Sequence, residues 1–507
     1  MTRPDALSAF WRQYRHRQSG TGAGGVVYAI YVTSLAVLIY GGPAVRRLGS
    51  ALHSPDVVTS LVEPATVTSL AGVLGAVLVA SFTIGTTRGP AVMRPFVVHA
   101  LVTSDIPRRR VFARPMLRAT LAVIALSVLL AAVLLVPLAD ADAMSWGALG
   151  AGLVAAALYG LVLVVVWLAG QAATGIATWV VPTALVVAIG AGLAWPALGR
   201  LLPWTWAAST WPDGSSTAPL LPLAGLAVLA VAAVAAVPRL LGGLSGPPLI
   251  EQARRWEGAT IAATTGDLTT AMGSFRATPS LGRRWRVVRG ASFALAVVRA
   301  DLAATLRMPL RALVAVLALG GGGWVLAAAP DAPGLLRWAL ACASSLLIFT
   351  GLGPLSDGLR HAVLAVTTPR LFGVSDDALV LSRAWAPLVG GAVVAGTCAS
   401  AGAAARGDAW GPALAMTVLV VGILTVVRLD AAAKGFPPLW LTAPVVTPMG
   451  DMSVVGTVVW QIDAVLAAAL VGTGALALWS GSTLGTVVLV LVVAVSLIQW
   501  RMRLRRL

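Results

Sequence analysis

The sequence predicts an all-α, polytopic membrane protein with about twelve transmembrane helices in two parallel six-helix repeats. Of its 507 residues, 58% are hydrophobic and only 11% are charged, whereas a soluble protein usually carries about 25% charged residues. Apolar runs reach the ~20 residues that a helix needs to cross a bilayer. They are apolar on every side, so they lack the alternation typical of membrane β-barrel strands.

The apolar runs define six predicted spans on each side of a basic central segment. Those of the first half are residues 26–40, 67–84, 119–138, 148–169, 179–198 and 220–237. Those of the second half are residues 310–328, 335–352, 388–404, 409–427, 464–479 and 484–498. The chain is therefore expected to form a six-helix half at 1–238, a basic cytoplasmic linker at 239–293 and a second six-helix half at 294–507.

The positions of the basic residues predict the orientation. Of the 36 Lys and Arg residues, 31 lie in the N- and C-terminal segments or in and at the edges of alternate gaps between the spans. Loops on the cytoplasmic side of membrane proteins carry such an excess, so we expect both termini in the cytoplasm and a bacterial plasma (inner) membrane location. The net charge of +17 then reflects orientation and contact with anionic lipid rather than nucleic-acid binding. Heavy Ala, Val, Leu and Arg usage with one lysine is typical of a high-GC, actinobacterial genome.

Each half repeats the same local features. An amphipathic stretch precedes its first span, at residues 5–17 and 294–307, and is expected to lie in the membrane interface. A long loop follows its second span, at residues 87–118 and 353–387. Each loop contains Gly-Pro (Gly89-Pro90; Gly353-Pro354) and then Ser-Asp (Ser104-Asp105; Ser375-Asp376). The agreement in position, more than the weak sequence similarity, indicates an internal repeat.

The first loop carries a cluster of arginines, Arg108, Arg109 and Arg110. Ser104 or Asp105 is predicted to cap a helix that carries residues 108–114. The simpler interpretation is that these arginines only anchor the loop on the cytoplasmic side. The two interpretations are compatible.

In this organisation, and in the segment 100–114, the chain resembles permease subunits of type 2 ABC exporters, here with two halves fused. It is also similar to an actinobacterial family of permease-like membrane proteins, in Arg-Arg-Trp-Glu at 254–257 and Thr-Pro-Met-Gly-Asp at 447–451. The resemblance implies an exporter driven by a separate ABC ATPase subunit, which holds ATP-Mg and docks on both loops. It assigns the coupling role to Ser104, Asp105, Arg108, Arg109, Arg110, Ser375, Asp376 and Asp377.

No catalytic or nucleotide-binding motif is evident in this chain. A Walker A loop needs Gly-Lys-Ser/Thr, and the only lysine, Lys434, is followed by Gly435 and Phe436. The histidines His16, His53, His99 and His361 have no metal-ligand spacing. We therefore expect no enzyme activity, cofactor or metal in the chain itself, and no motif indicates the substrate.

Two features in or beside the predicted spans bear on function. Asp463 lies near the inner end of the eleventh span, and an intramembrane carboxylate is a candidate for a transport or gating site; a capping or solvated position at the interface is the competing interpretation. The four glycines at residues 320–323 predict close helix approach or a kink in the seventh span.

The alternative function is an ion-coupled secondary transporter of major facilitator-like architecture, which also has twelve spans in two parallel halves. In that family the loop after the second span is very short and carries a Gly-x-x-x-Asp-Arg-like motif. The loop here has about 30 residues, and the sequence Gly-Thr-Thr-Arg at 85–88 does not match. The loop length therefore favours the ABC permease.

Overall fold

The computed structural model describes residues 53–212, 220–264, 292–366, 373–435 and 453–505, with isolated residues and short stretches elsewhere. The chain divides into two compact units, Met1–Gly258 and Ala259–Leu507. The described secondary structure is helical except for one antiparallel pair of two-residue strands, β1 (Val446–Thr447) and β2 (Gly450–Asp451).

In the first unit, helices of membrane-spanning length alternate with short ones. They are α1 (Pro55–Val62), α2 (Pro64–Thr87), α3 (Pro95–Val102), α4 (Arg108–Val111), α5 (Ala113–Asp140), α6 (Trp146–Ala172), α7 (Ala177–Ala194), α8 (Pro196–Gly199), α9 (Pro203–Ala208) and α10 (Leu220–Gly243). Helix α11 (Gly246–Thr264) begins in this unit and ends in the next.

The second unit has a similar succession of elements. Its helices are α12 (Phe293–Leu306), α13 (Pro309–Ala328), α14 (Gly334–Leu355), α15 (Asp357–Val366), α16 (Asp376–Ser382), α17 (Trp385–Ala405), α18 (Trp410–Ala432), α19 (Ser453–Trp479) and α20 (Thr483–Leu504). A 3₁₀ turn, Ala329–Asp331, extends α13.

Eleven helical segments of the described chain are long and apolar enough to cross a membrane. They are Thr66–Thr87, Ala113–Asp140, Trp146–Ala172, Ala177–Ala194, Leu220–Gly243, Pro309–Asp331, Gly334–Leu355, Asp376–Ala405, Trp410–Ala432, Gly456–Trp479 and Thr483–Leu504. These segments confirm predicted spans two to twelve. The first predicted span (26–40) and the stretch 5–17 lie outside the described residues, apart from positions 31, 34 and 35.

The long helices are apolar on their outer surfaces as well as inside the units. On α5, for example, Leu117, Leu121 and Leu129 are all more than half exposed. A water-soluble protein avoids large exposed apolar surfaces of this kind, whereas lipid tails accept them. The chain is therefore a polytopic helical membrane protein.

Helix α6 lies at the centre of the first unit and contacts α2, α5 and α10, while α7 packs on α2. Helices α2 and α6 come close enough for backbone contact. A Cβ on Gly85 would collide with the Trp167 carbonyl, and one on Gly170 would collide with the Phe82 carbonyl. Only glycine fits at this crossing, as at many helix–helix contacts in membranes.

Helix α18 has the central place in the second unit, where it contacts α14, α17, α19 and α20; α14 in turn packs on α13 and α19. The glycine run of α13 serves two neighbours. Gly322 faces the backbone of α14 at Ser344, and Gly323 faces α17 at the Ala395 carbonyl, whereas Gly321 has open space. The close helix approach predicted from this run is confirmed.

Candidate functional site

The loop between the second and third spans of the first unit is folded against the unit. This first loop (residues 88–112) contains α3 and α4. Val97, Val98 and Leu101 form the buried face of α3, and Phe112 is fully buried after α4. Their apolar cluster includes buried residues at the ends of α6 and α10 and on α11: Val164, Leu168, Leu241, Leu244, Leu249 and Ala253.

Polar contacts fix the start of the first loop. The Gln171 side chain at the end of α6 accepts a hydrogen bond from the Ala91 N–H (3.1 Å) and donates one to Gln252 of α11 (3.2 Å). Gln252 donates to the Thr86 carbonyl (3.3 Å). Gly89 leaves no room for a Cβ beside Gln171. Gln171 therefore ties the loop to α6 and α11 together.

Arg88 adds a second connection to α11. Its guanidinium group lies 3.6 Å from the centre of the Trp256 ring, a favourable cation–π arrangement. Burial lowers the pKa of Arg88 from its ordinary value. The Arg88 carbonyl accepts a hydrogen bond from the Trp167 indole (2.6 Å). The segment that joins α2 to α3 thus contacts α11 through the Arg88 side chain and α6 through the Arg88 carbonyl.

The predicted cap of the arginine helix is wrong. Ser104 donates to the Leu101 carbonyl (2.7 Å) and accepts from the Ile106 N–H (3.4 Å), so it closes the turn after α3. Pro107 occupies the N-cap position of α4 without a side-chain hydrogen bond, and α4 covers only Arg108–Val111. Ser104 and Asp105 stand too far upstream to reach the free N–H groups of α4. Arg109 and Arg110 are exposed, as is Asp105, and Arg108 is half-buried.

In the second loop (residues 356–384), the described helices α15 and α16 pack on the unit in a comparable way. Leu359, Ala362, Val363 and Val380 are buried in one cluster with Leu429 and Ala433 at the end of α18 and Trp500 of α20. Gly353 and Pro354 lie within the last turn of α14. The expected loop start at 353 is therefore corrected to Ser356, since a proline near the helix end removes only one late helical hydrogen bond.

The predicted residues of the second loop lie at the start of α16. Ser375 is its N-cap and accepts a hydrogen bond from the Ala378 N–H (3.4 Å). Asp376 and Asp377 occupy the first turn, where negative charge is stabilised by the helix dipole. Asp377 is exposed, and Asp376 is half-buried.

Helix α12 is confirmed where the amphipathic stretch 294–307 was predicted, and it is joined to the second loop. Its buried Asp301 pairs with Arg383 at the end of α16. Burial raises the pKa of Asp301, and the charge of Arg383 only partly offsets this. Beside it, Arg311 of α13 pairs with Asp357 of α15 (2.7 Å). The two ion pairs hold the second loop against α12 and α13.

A cluster of four charged side chains joins the ends of α18 and α20 to the first half of α19. Arg503 lies 2.9 Å from Asp430 and 3.2 Å from Asp463, and Lys434 lies 2.5 Å from Asp463. Lys434 also donates to the Trp460 carbonyl and lies over its ring. Burial lowers the pKa of Lys434, although Asp463 opposes the shift.

The sequence predicts Asp463 as a candidate site residue, but it does not predict which side chains pair with Asp463. Lys434 and Arg503 are 29 and 40 residues away along the chain, so no local spacing reveals the cluster. The charges sum to zero, two acids against two bases, which is the usual condition for ionised groups at membrane depth. Among the described residues, no three His, Cys, Asp or Glu side chains are grouped so that they could hold a metal ion.

Comparison of the chain with protein-family models, with curated proteins and with solved structures gave no match.

Proposed function

We propose that this chain is the transmembrane (permease) subunit of an ABC-type exporter, driven by a separate ATPase subunit that docks on the first and second loops. The observation that carries the proposal is the folding of these loops. Each is packed on the ends of the fourth and sixth spans of its unit (counting the first predicted span), through the clusters around Leu168 and Leu429. A docking element fixed in this way moves with the spans it contacts.

The proposal includes two parallel repeats. In the first unit α6 contacts α2, α5 and α10, and in the second α18 contacts the corresponding α14, α17 and α20. The fifth spans also correspond, since α7 packs on α2 and α19 on α14. Such equivalence supports an internal duplication of one six-helix unit. The arginines of the first loop support a cytoplasmic position for both loops and both termini, in a bacterial plasma membrane.

The energy source would lie on the partner. The sequence has no Gly-Lys-Ser/Thr at its single lysine, Lys434, so the phosphate-binding lysine of a Walker A loop must be supplied from outside. The partner would hold ATP-Mg, and the first and second loops would convey its closure to the spans.

A second candidate is an ion-coupled secondary transporter. The observation that favours it is the cluster of Asp430, Asp463, Lys434 and Arg503, because ionisable groups within spans serve as ion and proton sites in such transporters. All four groups, however, are engaged in mutual ion pairs. The folded loops favour the ABC permease.

The experiment is purification of the tagged chain in a mild detergent, followed by identification of co-eluting proteins and an ATPase assay. We expect a Walker-A-containing polypeptide to co-elute and hydrolyse ATP. The variant Arg109→Glu/Arg110→Glu, which reverses two exposed charges of the first loop, should lose it. The control is Arg254→Glu/Arg501→Glu, which reverses two exposed charges outside both loops and should retain it.

The outcomes separate the two candidates. Retention of an active ATPase by the control but not by the loop variant supports docking on the first loop. A chain that elutes without any ATPase, or an ATPase that is retained equally by both variants, contradicts the proposal. Proton- or sodium-dependent uptake by vesicles that contain the chain alone would instead establish the ion-coupled transporter.

A further inference from the structure

Arg428 of α18 is a half-buried cation whose side chain reaches α14. It donates a hydrogen bond to the Phe349 carbonyl, and its Cζ lies 3.6 Å from the centre of the Phe349 ring. Among the described residues, no carboxylate forms an ion pair with Arg428. A charge that is withdrawn from water normally has a counter-ion, and a carbonyl with an aromatic face replaces one only in part.

The pairing of Arg428 differs from that of other cations in the same unit. Four other basic side chains that are withdrawn from solvent each pair with at least one carboxylate. The pairs are Arg311 with Asp357, Arg383 with Asp301, Lys434 with Asp463, Arg503 with Asp430 and Arg503 with Asp463.

The electrostatic surroundings of Arg428 add positive charge. Two groups of α15 act on it, and the cation Arg360 acts more strongly than the carboxylate Asp357. Asp357 is itself engaged by Arg311, whose Nη1 lies 2.7 Å from an Asp357 oxygen. The side chains of α15 therefore leave the charge of Arg428 without compensation.

A glycine leaves space beside the guanidinium group of Arg428. A Cβ on Gly353, near the end of α14, would lie 3.4 Å from Nη2 and 3.8 Å from Cζ of Arg428. Apart from the adjoining backbone of α14, no other atom of the described residues comes within 4 Å of that position. The Nε atom of Arg428 is buried and has no hydrogen-bond partner within the described chain. The group therefore has an unused donor, and there is room for an acceptor beside one of its nitrogens.

We propose that Arg428 binds a phosphate group at the ends of α14 and α18. The planar fork of an arginine matches the oxygens of a phosphate, which can accept two hydrogen bonds from it. Arg428 lies four residues before Ala432, the last residue of α18, and the end of a span lies close to the headgroups of one leaflet. The phosphate can therefore come from a phospholipid or from a soluble phosphate compound. This inference goes beyond the proposed function and does not depend on it.

The test is thermal unfolding of the purified full chain in a non-ionic detergent. Dioleoylphosphatidylglycerol and inorganic phosphate are titrated separately. Dioleoylglycerol, which has the same acyl chains without phosphate, and chloride at equal ionic strength are the matched additions. A ligand that binds only the folded state raises the melting temperature in a saturable way. We expect such a rise with phosphatidylglycerol alone if the source is phospholipid, and with inorganic phosphate as well if it is soluble.

Two variants connect this rise to the site. Arg428→Gln should weaken the apparent affinity about tenfold or more, because hydrogen bonds to a charged group are lost. Gly353→Ala keeps Arg428 and its contacts with Phe349, and it should also weaken binding, because its methyl group takes the space beside Nη2. The controls are Arg505→Gln, at an exposed arginine, and Gly422→Ala, at a position on α18 with open space. Both controls should bind as the wild type does.

The contrary results are equally specific. Stabilisation by neither phosphate source, or by dioleoylglycerol as much as by phosphatidylglycerol, overturns the phosphate site. Equal affinity in the wild type and in Arg428→Gln overturns the role of Arg428, which then only links α18 to α14. If Arg428→Gln does not fold, Gly353→Ala decides the question, and wild-type affinity in that variant overturns the proposal.

Discussion

Arg503, in the last turn of α20, lies 2.9 Å from Asp430, in the last turn of α18. The Arg503 side chain is 17% exposed and that of Asp430 is 8% exposed, so the pair is withdrawn from solvent. Arg503 also reaches Asp463 on α19 (3.2 Å). One guanidinium group therefore joins the ends of α18 and α20 to α19.

Removal of Arg503 should be strongly destabilising. Arg503→Met leaves Asp430 buried without its main counter-charge, and the loss of one partner from a buried pair costs about 3–5 kcal/mol. The double variant Asp430→Leu/Arg503→Met should recover part of this loss. Thermal unfolding in detergent checks both, with Arg505→Met, an exposed arginine at the same helix end, as the control. Equal melting temperatures for Arg503→Met and Arg505→Met would show that the pair contributes little.

The glycine run of α13 allows a comparison between adjacent positions. A Cβ on Gly323 would collide with the Ala395 carbonyl, whereas one on Gly321 meets open space. Gly323→Ala should force α13 and α17 apart and destabilise the protein by about 1–3 kcal/mol. Gly321→Ala should be neutral or stabilising by up to ~1 kcal/mol, because alanine has the higher helix propensity. Similar melting temperatures for the two variants would contradict close packing at Gly323.

Gln171 should control the opening of the first loop. Gln171→Ala removes the acceptor of the Ala91 N–H and the contact with Gln252; a buried donor left without its partner costs about 1–3 kcal/mol. Tryptic cleavage within residues 88–118, followed by mass spectrometry, should become roughly tenfold faster, in line with a local opening cost reduced by ~1.4 kcal/mol. Thr183→Val is the control, since Thr183 bonds only within its own helix. Unchanged cleavage in Gln171→Ala would show that apolar packing alone holds the loop.

Asp301 should make stability depend on pH. Burial raises its pKa in the folded protein above the ordinary value of 3.8, so the folded state binds the proton at a higher pH than the unfolded state does. Between those two pKa values the free energy of unfolding therefore increases as the pH falls. The melting temperature of the wild type relative to Asp301→Asn should rise as the pH is lowered from 7 toward 4. A difference that is constant, or that shrinks toward acid, would contradict a raised pKa.

The membrane spans could be predicted because their signal is local. A run of twenty residues that are nearly all apolar, as in 119–138, predicts a membrane helix whatever surrounds it, and α5 includes that whole range. The helix over 294–307 and the close packing at Gly322 and Gly323 also follow from short patterns.

The connections that fix the candidate site could not be predicted in this way. Gln171 meets Ala91 across 80 residues, and Asp301 meets Arg383 across 82. No single-sequence pattern links such positions, because the contact arises only when distant spans pack. The predicted Ser104 cap was wrong for a local reason: Pro107 is the N-cap residue of α4, and the Ser104 side chain makes its hydrogen bonds within the preceding turn.

The most direct test of the permease account is native mass spectrometry of the complex released from membranes under gentle conditions. The account predicts one 51.7 kDa chain together with a Walker-A-containing ATPase polypeptide, and loss of that polypeptide from the complex when the first loop carries Arg109→Glu/Arg110→Glu. Detection of the chain alone, or only with copies of itself, would contradict the permease account, provided that the chain is abundant and folded in the membranes used.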